Sequence, residues 1–192
     1  MTLKDTLSPT YLQQLGSLSS WLRKAQAQFG EDKADALLSA RLAPDMLPLS
    51  TQVRFACVQA VEGMYRLRGE DFPPLIEELL DEGRHAGEVP GTMSDALARI
   101  DQVTALVAEL ALPELKEADA RPVAHALPMG IIFDLTLEQY VRDWAVPQFY
   151  FHVMIAYAIL RAQGADLGKA DFVAHMFGYV RPGTLPEGMG GA

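Results

Sequence analysis

An all-α chain, folded as an antiparallel four-helix bundle with a small β-hairpin inserted before the last long helix, is what the sequence predicts. Apolar residues recur at intervals of three and four in four long stretches, the period of a helix with one buried face. Between Arg121 and Leu135 that period gives way to two short apolar runs split by Pro128-Met129-Gly130. At 192 residues and 49% apolar content, the chain can close one well-buried core, so a single domain over residues 1–177 is expected, followed by a flexible Gly/Pro-rich tail at 178–192.

Taken in order, Ser8-Pro9 reads as an N-cap followed by proline at the first helical position. Tyr11, Leu12, Leu15, Leu18, Leu22 and Ala25 then form the buried face of a first helix that ends near Gly30. A shorter helix, 33–40, leads into "RLAPDMLPLS", where Pro44 and Pro48 interrupt helical bonding. Ser50 reads as the cap of a second long helix reaching Leu67, with Val53, Ala56, Cys57, Ala60, Val61 and Met64 on one face. The acidic, proline-bearing stretch from Arg68 to Met93 reads as a solvated connector with one helical turn at most.

A third long helix follows over 94–110. Val123–Leu127 and Ile131–Leu135 pair as a hairpin with a three-residue turn, and His125 is free to face either side. Thr136 caps a short helix through Trp144, and Pro147 opens the last long helix, which ends at Gly164.

The formal charge is −9 and the sequence pI about 4.8, with no basic run to neutralise phosphates, so no nucleic-acid partner is expected. No stretch is apolar enough to span a membrane, and the N-terminus lacks a signal-peptide pattern, so no membrane partner and a cytoplasmic location are expected. Nucleotide-binding and common hydrolase signatures are absent.

Chemistry must therefore come from polar groups on apolar faces. "FYFHVMIAYAILR" sets His152 among apolar residues, with Gln148 one turn earlier and Tyr157 beyond it. Cys57, the only cysteine, lies on the buried stripe of the second helix. Cys57, Gln148, His152 and Tyr157 are thus the candidate pocket. Thiolate and imidazole ligate zinc, but an amide is a poor third ligand. His152 is open to three roles: metal ligand, base beside a Cys57 nucleophile, or core histidine with a satisfied hydrogen bond. The last is the commonest for a histidine in such a run.

Two motifs, "ARLAPDM" and "FYFHVMIAYAILR", resemble an uncharacterised bacterial family, a domain of unknown function within the DinB/YfiT-like superfamily of four-helix bundles. The similarity spans roughly residues 5–175. It implies a DinB-like bundle, often a homodimer. Members of that superfamily commonly hold a divalent metal on three histidines, one on the second helix and an HxxxH pair on the last, and some are thiol-dependent transferases. Leu160, Arg161 and Gly164 follow His152 at the superfamily's spacing, which makes His152 the last ligand position, Gln148 the first of the pair, and Cys57 the second-helix position. The resemblance therefore implies a degenerate site with no resident cofactor. The expected function is binding of a small ligand or protein partner, with metal- or thiol-dependent transfer as the alternative.

Overall fold

The computed structural model describes residues 2–111 and 121–184. Four long helices, α1 (Leu3–Phe29), α3 (Leu49–Arg68), α5 (Met93–Ala111) and α7 (Val146–Ala162), form the bundle. Shorter helices α2 (Glu31–Leu37), α4 (Pro74–His85), α6 (Leu137–Gln139) and α8 (Lys169–Phe172) brace it. Helix α3 is central and packs on α1, α4, α5 and α7, so it is buried on nearly every side. One apolar cluster, with Trp21, Tyr11, Tyr140 and Phe149 as its largest fully buried side chains, runs through the bundle.

The helix starts differ from those the sequence suggests. Helix α1 begins at Leu3 with Thr2 and Asp5 in a reciprocal capping box, so Ser8-Pro9 lies inside it. The Ser8 hydroxyl instead reaches the Met64 sulfur inside the bundle at 3.6 Å. Ser50 is likewise not the cap of α3: Pro48 holds that position, and the Ser50 hydroxyl donates to the Pro90 carbonyl at 2.6 Å.

The connector after α3 is not merely solvated. It contains the three-turn helix α4, started by Pro73-Pro74, with Ile76, Leu79 and Gly83 buried at helical spacing against α3. A Cβ on Gly83 would stand 2.4 Å from the Phe55 ring, so the glycine lets the two helices approach closely. The acidic residues between these apolar positions disguise the face. Arg54 of α3 pairs with Glu82 of α4 at 3.3 Å, and Glu82 also receives Arg99 of α5.

Strands β1 (Pro122–Ala126) and β2 (Ile132–Thr136) pair antiparallel, with His125 opposite Phe133, and Gly130 takes a left-handed φ of 85° in the turn. Val123 and His125 point inward. Thr136 and Gln139 form a second capping box. The chain then runs helically without a break from Leu137 to Ala162, through a π-helical turn, Tyr140–Ala145. Pro147 has no N–H for the preceding turn, and its ring crowds the carbonyl four residues back, which accounts for the wider turn ahead of it.

Beyond Gly164, α8 and a 3₁₀ turn, Ala174–Tyr179, follow. The expected tail boundary falls within that turn, and residues 185–192 lie outside the described residues. No helix among the described residues is long and apolar enough to cross a membrane.

Candidate functional site

The sequence candidates occupy different places. His152 is buried and its Nδ1 lies 2.9 Å from the Gln52 side-chain oxygen. The Gln52 amide donates in turn to the Leu47 carbonyl at 3.1 Å, which orients its oxygen as an acceptor. His152 therefore donates from Nδ1 and keeps the Nε2 lone pair. Burial lowers its pKa to about 4, so the ring is neutral near pH 7. The edges of Phe55 and Phe151 flank it. Gln148, one turn earlier on α7, is half-buried and makes no hydrogen bond among the described residues.

Cys57 follows Gln52 by five residues, which turns it about 140° around α3 at 100° per residue. Its charged neighbours are Arg54, Arg99 and Glu82, toward α4 and α5, and burial pushes its thiol up to about 12. Tyr157 is rotated equally far from His152 on α7 and packs on Trp21 and Phe172. The partner that α3 offers His152 is thus Gln52. No three His, Cys, Asp or Glu side chains come together in metal-binding fashion among the described residues. A buried, protonated thiol and an unengaged amide do not supply the donors a divalent metal needs.

A second polar locus lies under the hairpin. On α3, Gln52, Gln59, Glu62 and Arg66 are spaced by seven, three and four residues and form a polar seam along one face. Gln52 serves the His152 end of this seam. Glu62, with 9% exposure, lies 3.4 Å from His125 Nδ1 of β1 and 3.8 Å from Arg66 Nε. His125 also stacks at a tilt on Trp144, with ring centroids 4.3 Å apart, and lies beside Tyr140; both are residues of the π-helical turn. Tyr11 enters from α1 over Gly63, where a Cβ would stand 2.2 Å from its hydroxyl oxygen.

Hydrogen bonding is incomplete here, although Glu62 draws His125 Nδ1, Arg66 Nε and the Tyr140 hydroxyl toward its carboxylate. Ten buried side-chain polar atoms among the described residues make no regular hydrogen bond, and seven belong to the residues of this seam and of the elements packed over it. They are the hydroxyls of Tyr11 and Tyr140, both ring nitrogens of His125, Trp144 Nε1, Arg66 Nε and Gln59 Oε1. Glu62 is near enough for its charge to raise the pKa of both tyrosines, adding to the larger effect of burial. Each hydroxyl thus stays protonated. Native proteins satisfy more than about 90% of buried polar groups, so this cluster under the hairpin stands out from the rest of the core. The π-helical turn that carries Tyr140 and Trp144 borders this cluster.

Sequence inspection missed this chamber because it followed the apolar stripe of α3 and treated the rest as its outer face. The available signal was the polar seam itself. On a helix packed by four others, Gln52 and Glu62 of that seam are buried, while Gln59 and Arg66 keep partial exposure.

Bundle, inserted hairpin and histidine-bearing last helix together define a DinB-like protein. A crystal structure of a DinB family member protein from Shewanella denitrificans, solved at 1.83 Å, superposes with a TM-score of 0.68 at 28% identity, covering 96% of each chain. The chain belongs to the family described as Domain of unknown function (DUF1993), whose sequence pattern matches residues 3–173. No curated protein matches it.

Proposed function

We propose that this DinB-like bundle binds a small polar molecule in the chamber beneath the hairpin, between Tyr11, Glu62, His125, Tyr140 and Trp144. The observation that carries this reading is a group of buried polar atoms without a hydrogen bond, the Tyr11 hydroxyl, His125 Nε2 and Trp144 Nε1 among them, in the neighbourhood of the Glu62 carboxylate. Leaving such groups unpaired costs about 1–3 kcal/mol each, so the fold gains by taking up a molecule that pairs them. The cluster draws on four separate segments, α1, α3, the hairpin and the π-turn. A thiol-transfer role finds less support, because Cys57 is sealed in the core and burial keeps its thiol protonated.

Self-association in the cytoplasm belongs to the same proposal. Phe151 and Met154 stand exposed, at 53% and 44%, one turn apart on α7, an apolar pair that a second copy would cover. Light scattering of the full chain reads the mass.

Trp144 supplies the readout for binding. The protein has two tryptophans, and the Trp21 indole is already committed to the Asp171 carbonyl at 3.1 Å. In ¹⁵N-edited spectra of the full chain screened against a panel of small polar fragments, the Trp144 indole resonance is expected to shift while Trp21 stays fixed. A panel in which no fragment moves Trp144, or in which both indoles move alike, contradicts the reading.

A further inference from the structure

We infer that the cleft between α4 and α5 binds an α-amino acid, with its carboxylate on the free end of the Arg54 guanidinium and its ammonium group on Asp95, across the notch left by Gly91. This site shares no residue with the cluster under the hairpin and does not rest on the reading proposed for it.

Room is the first observation. Helices α4 and α5 and the connector between them line an open cleft of about 630 Å³, with Arg54, Glu82, Arg99, Gly91 and Asp95 among its walls. Small-molecule sites have volumes of about 300–1,000 Å³. Gly91, with φ of 74°, brings no side chain into the cleft, and a Cβ there would stand 3.3 Å from Arg54 Nη2 and 3.4 Å from Asp95 Oδ2. The two charged groups therefore border the same small space, yet no direct ion pair joins them.

Free hydrogen-bond capacity is the second. The Arg54 side chain is only 5% exposed, and its hydrogen bond runs from Nε to Glu82 at 3.3 Å. Its buried Nη1 has no partner, and Nη2, at the Gly91 notch, donates to no group among the described residues. Arg99 is already committed, to Glu82, Glu78 and Gln102. The Nη end of Arg54 is thus the fork with bonds still to give, and a carboxylate is the group that matches it.

Charge is the third. Glu78, Asp81, Glu82 and Asp95 stand around these two arginines, so a simple anion bound to Arg54 meets repelling carboxylates, and a simple cation meets the Arg54 fork. A zwitterion answers both. Asp95 Oδ2 accepts from the Thr92 backbone and hydroxyl at 2.8 and 2.7 Å, while Oδ1 stays open to an ammonium group. Those Thr92 bonds, with Arg54 adding, hold the Asp95 carboxyl below its usual range, so it is ionised near pH 7. An α-amino acid carries its carboxylate and ammonium on one carbon, which suits two groups facing one notch. The rest of the cleft, with Val89 and Ala98 in its lining, has space for an aliphatic side chain.

Leucine, 4-methylpentanoate and 3-methylbutylamine share that side chain and carry both charges, the carboxylate alone and the ammonium alone. Each is titrated into the full chain at neutral pH, reading the backbone amide resonances of Gly91 and Asp95. Leucine is expected to move both saturably, with the Trp144 indole unmoved, and to bind about tenfold or more tighter than either analogue. In Asp95→Asn the advantage of leucine over 4-methylpentanoate should vanish, whereas a merely structural loss would weaken the two alike and count against the proposal. If Asp95→Asn does not fold by circular dichroism, the three ligands on the unaltered chain decide. Binding of either analogue as tight as that of leucine overturns the amino-acid class, and amides that leucine leaves in place overturn the site.

Discussion

His152 is held neutral by its surroundings, and that has a consequence for stability. Its folded pKa near 4 lies below the ordinary 6.5, so between these values the unfolded chain binds more protons and stability falls as pH drops. The contribution is intact above the unfolded value and gone below the folded one. Moving from about pH 7.5 to about pH 5.5 should remove about 1 kcal/mol through this group. Urea unfolding of His152→Gln should show a correspondingly flatter pH dependence, and equal slopes in the two proteins would refute the burial account. Gly63 tests the chamber floor. Alanine in a helix gains about 1 kcal/mol over glycine, yet its Cβ would stand 2.2 Å from the hydroxyl of a fully buried ring. Overpacking of that kind costs about 1–3 kcal/mol, so Gly63→Ala should destabilise in a thermal melt and Tyr11→Phe should partly rescue it. At this scale the sequence marks His152 as special because one imidazole in an apolar run is visible in one dimension. Its partner is not. Cys57 and Gln52 share a helix but point about 140° apart, and which face meets α7 is decided by packing.

Arg121, just ahead of β1, fastens the hairpin to the end of α3. Arg121 donates to the carbonyls of Arg66 and Leu67, the latter at 2.9 Å, and so places a cation at the helix C-terminus. Gly69, with φ of 68°, both ends the helix and leaves room for the guanidinium, which a Cβ would meet at 2.3 Å. The Arg121 backbone carbonyl also accepts from Leu137 at 2.8 Å, extending the ladder into α6. Arg121→Ala should therefore speed hydrogen exchange at Val123 to Leu135 by about tenfold, about 1.4 kcal/mol, while amides in the middle of α1 and α3 keep their protection. Uniform acceleration everywhere would show that Arg121 supports the whole fold and not this joint. The long helices and the hairpin were legible as elements because their periods differ. Boundaries were harder: Ser8-Pro9 has the chemistry of a cap, but Thr2 and Asp5 form a better one, and α4 hides Ile76 and Leu79 among acids. The π-turn leaves no pattern in apolar spacing. Only Pro147, in a stretch that is otherwise helical, hints at it.

The whole molecule is a bundle arranged around α3, whose buried polar seam reaches from His152 to the hairpin. The bundle and its insertion follow from apolar period and turn chemistry, so that level was readable in one chain. The chamber was not, because its members come from Tyr11, Glu62, His125, Tyr140 and Trp144, spread along most of the chain. Each looks like a packing residue by itself. A seam of polar groups in the middle of a bundle destabilises unless it is paired; here His152 is joined to Gln52 at 2.9 Å, while at the other end Glu62 faces His125 and Arg66 at 3.4 and 3.8 Å and the Tyr11 hydroxyl and Trp144 Nε1 make no hydrogen bond. The account stands on that difference. A high-resolution crystal structure of the full chain soaked with small polar fragments tests it most directly. The account expects ordered density within hydrogen-bond distance of the Tyr11 hydroxyl and Trp144 Nε1. A dry chamber, closed by hydrogen bonds from these groups to other protein atoms, would contradict it.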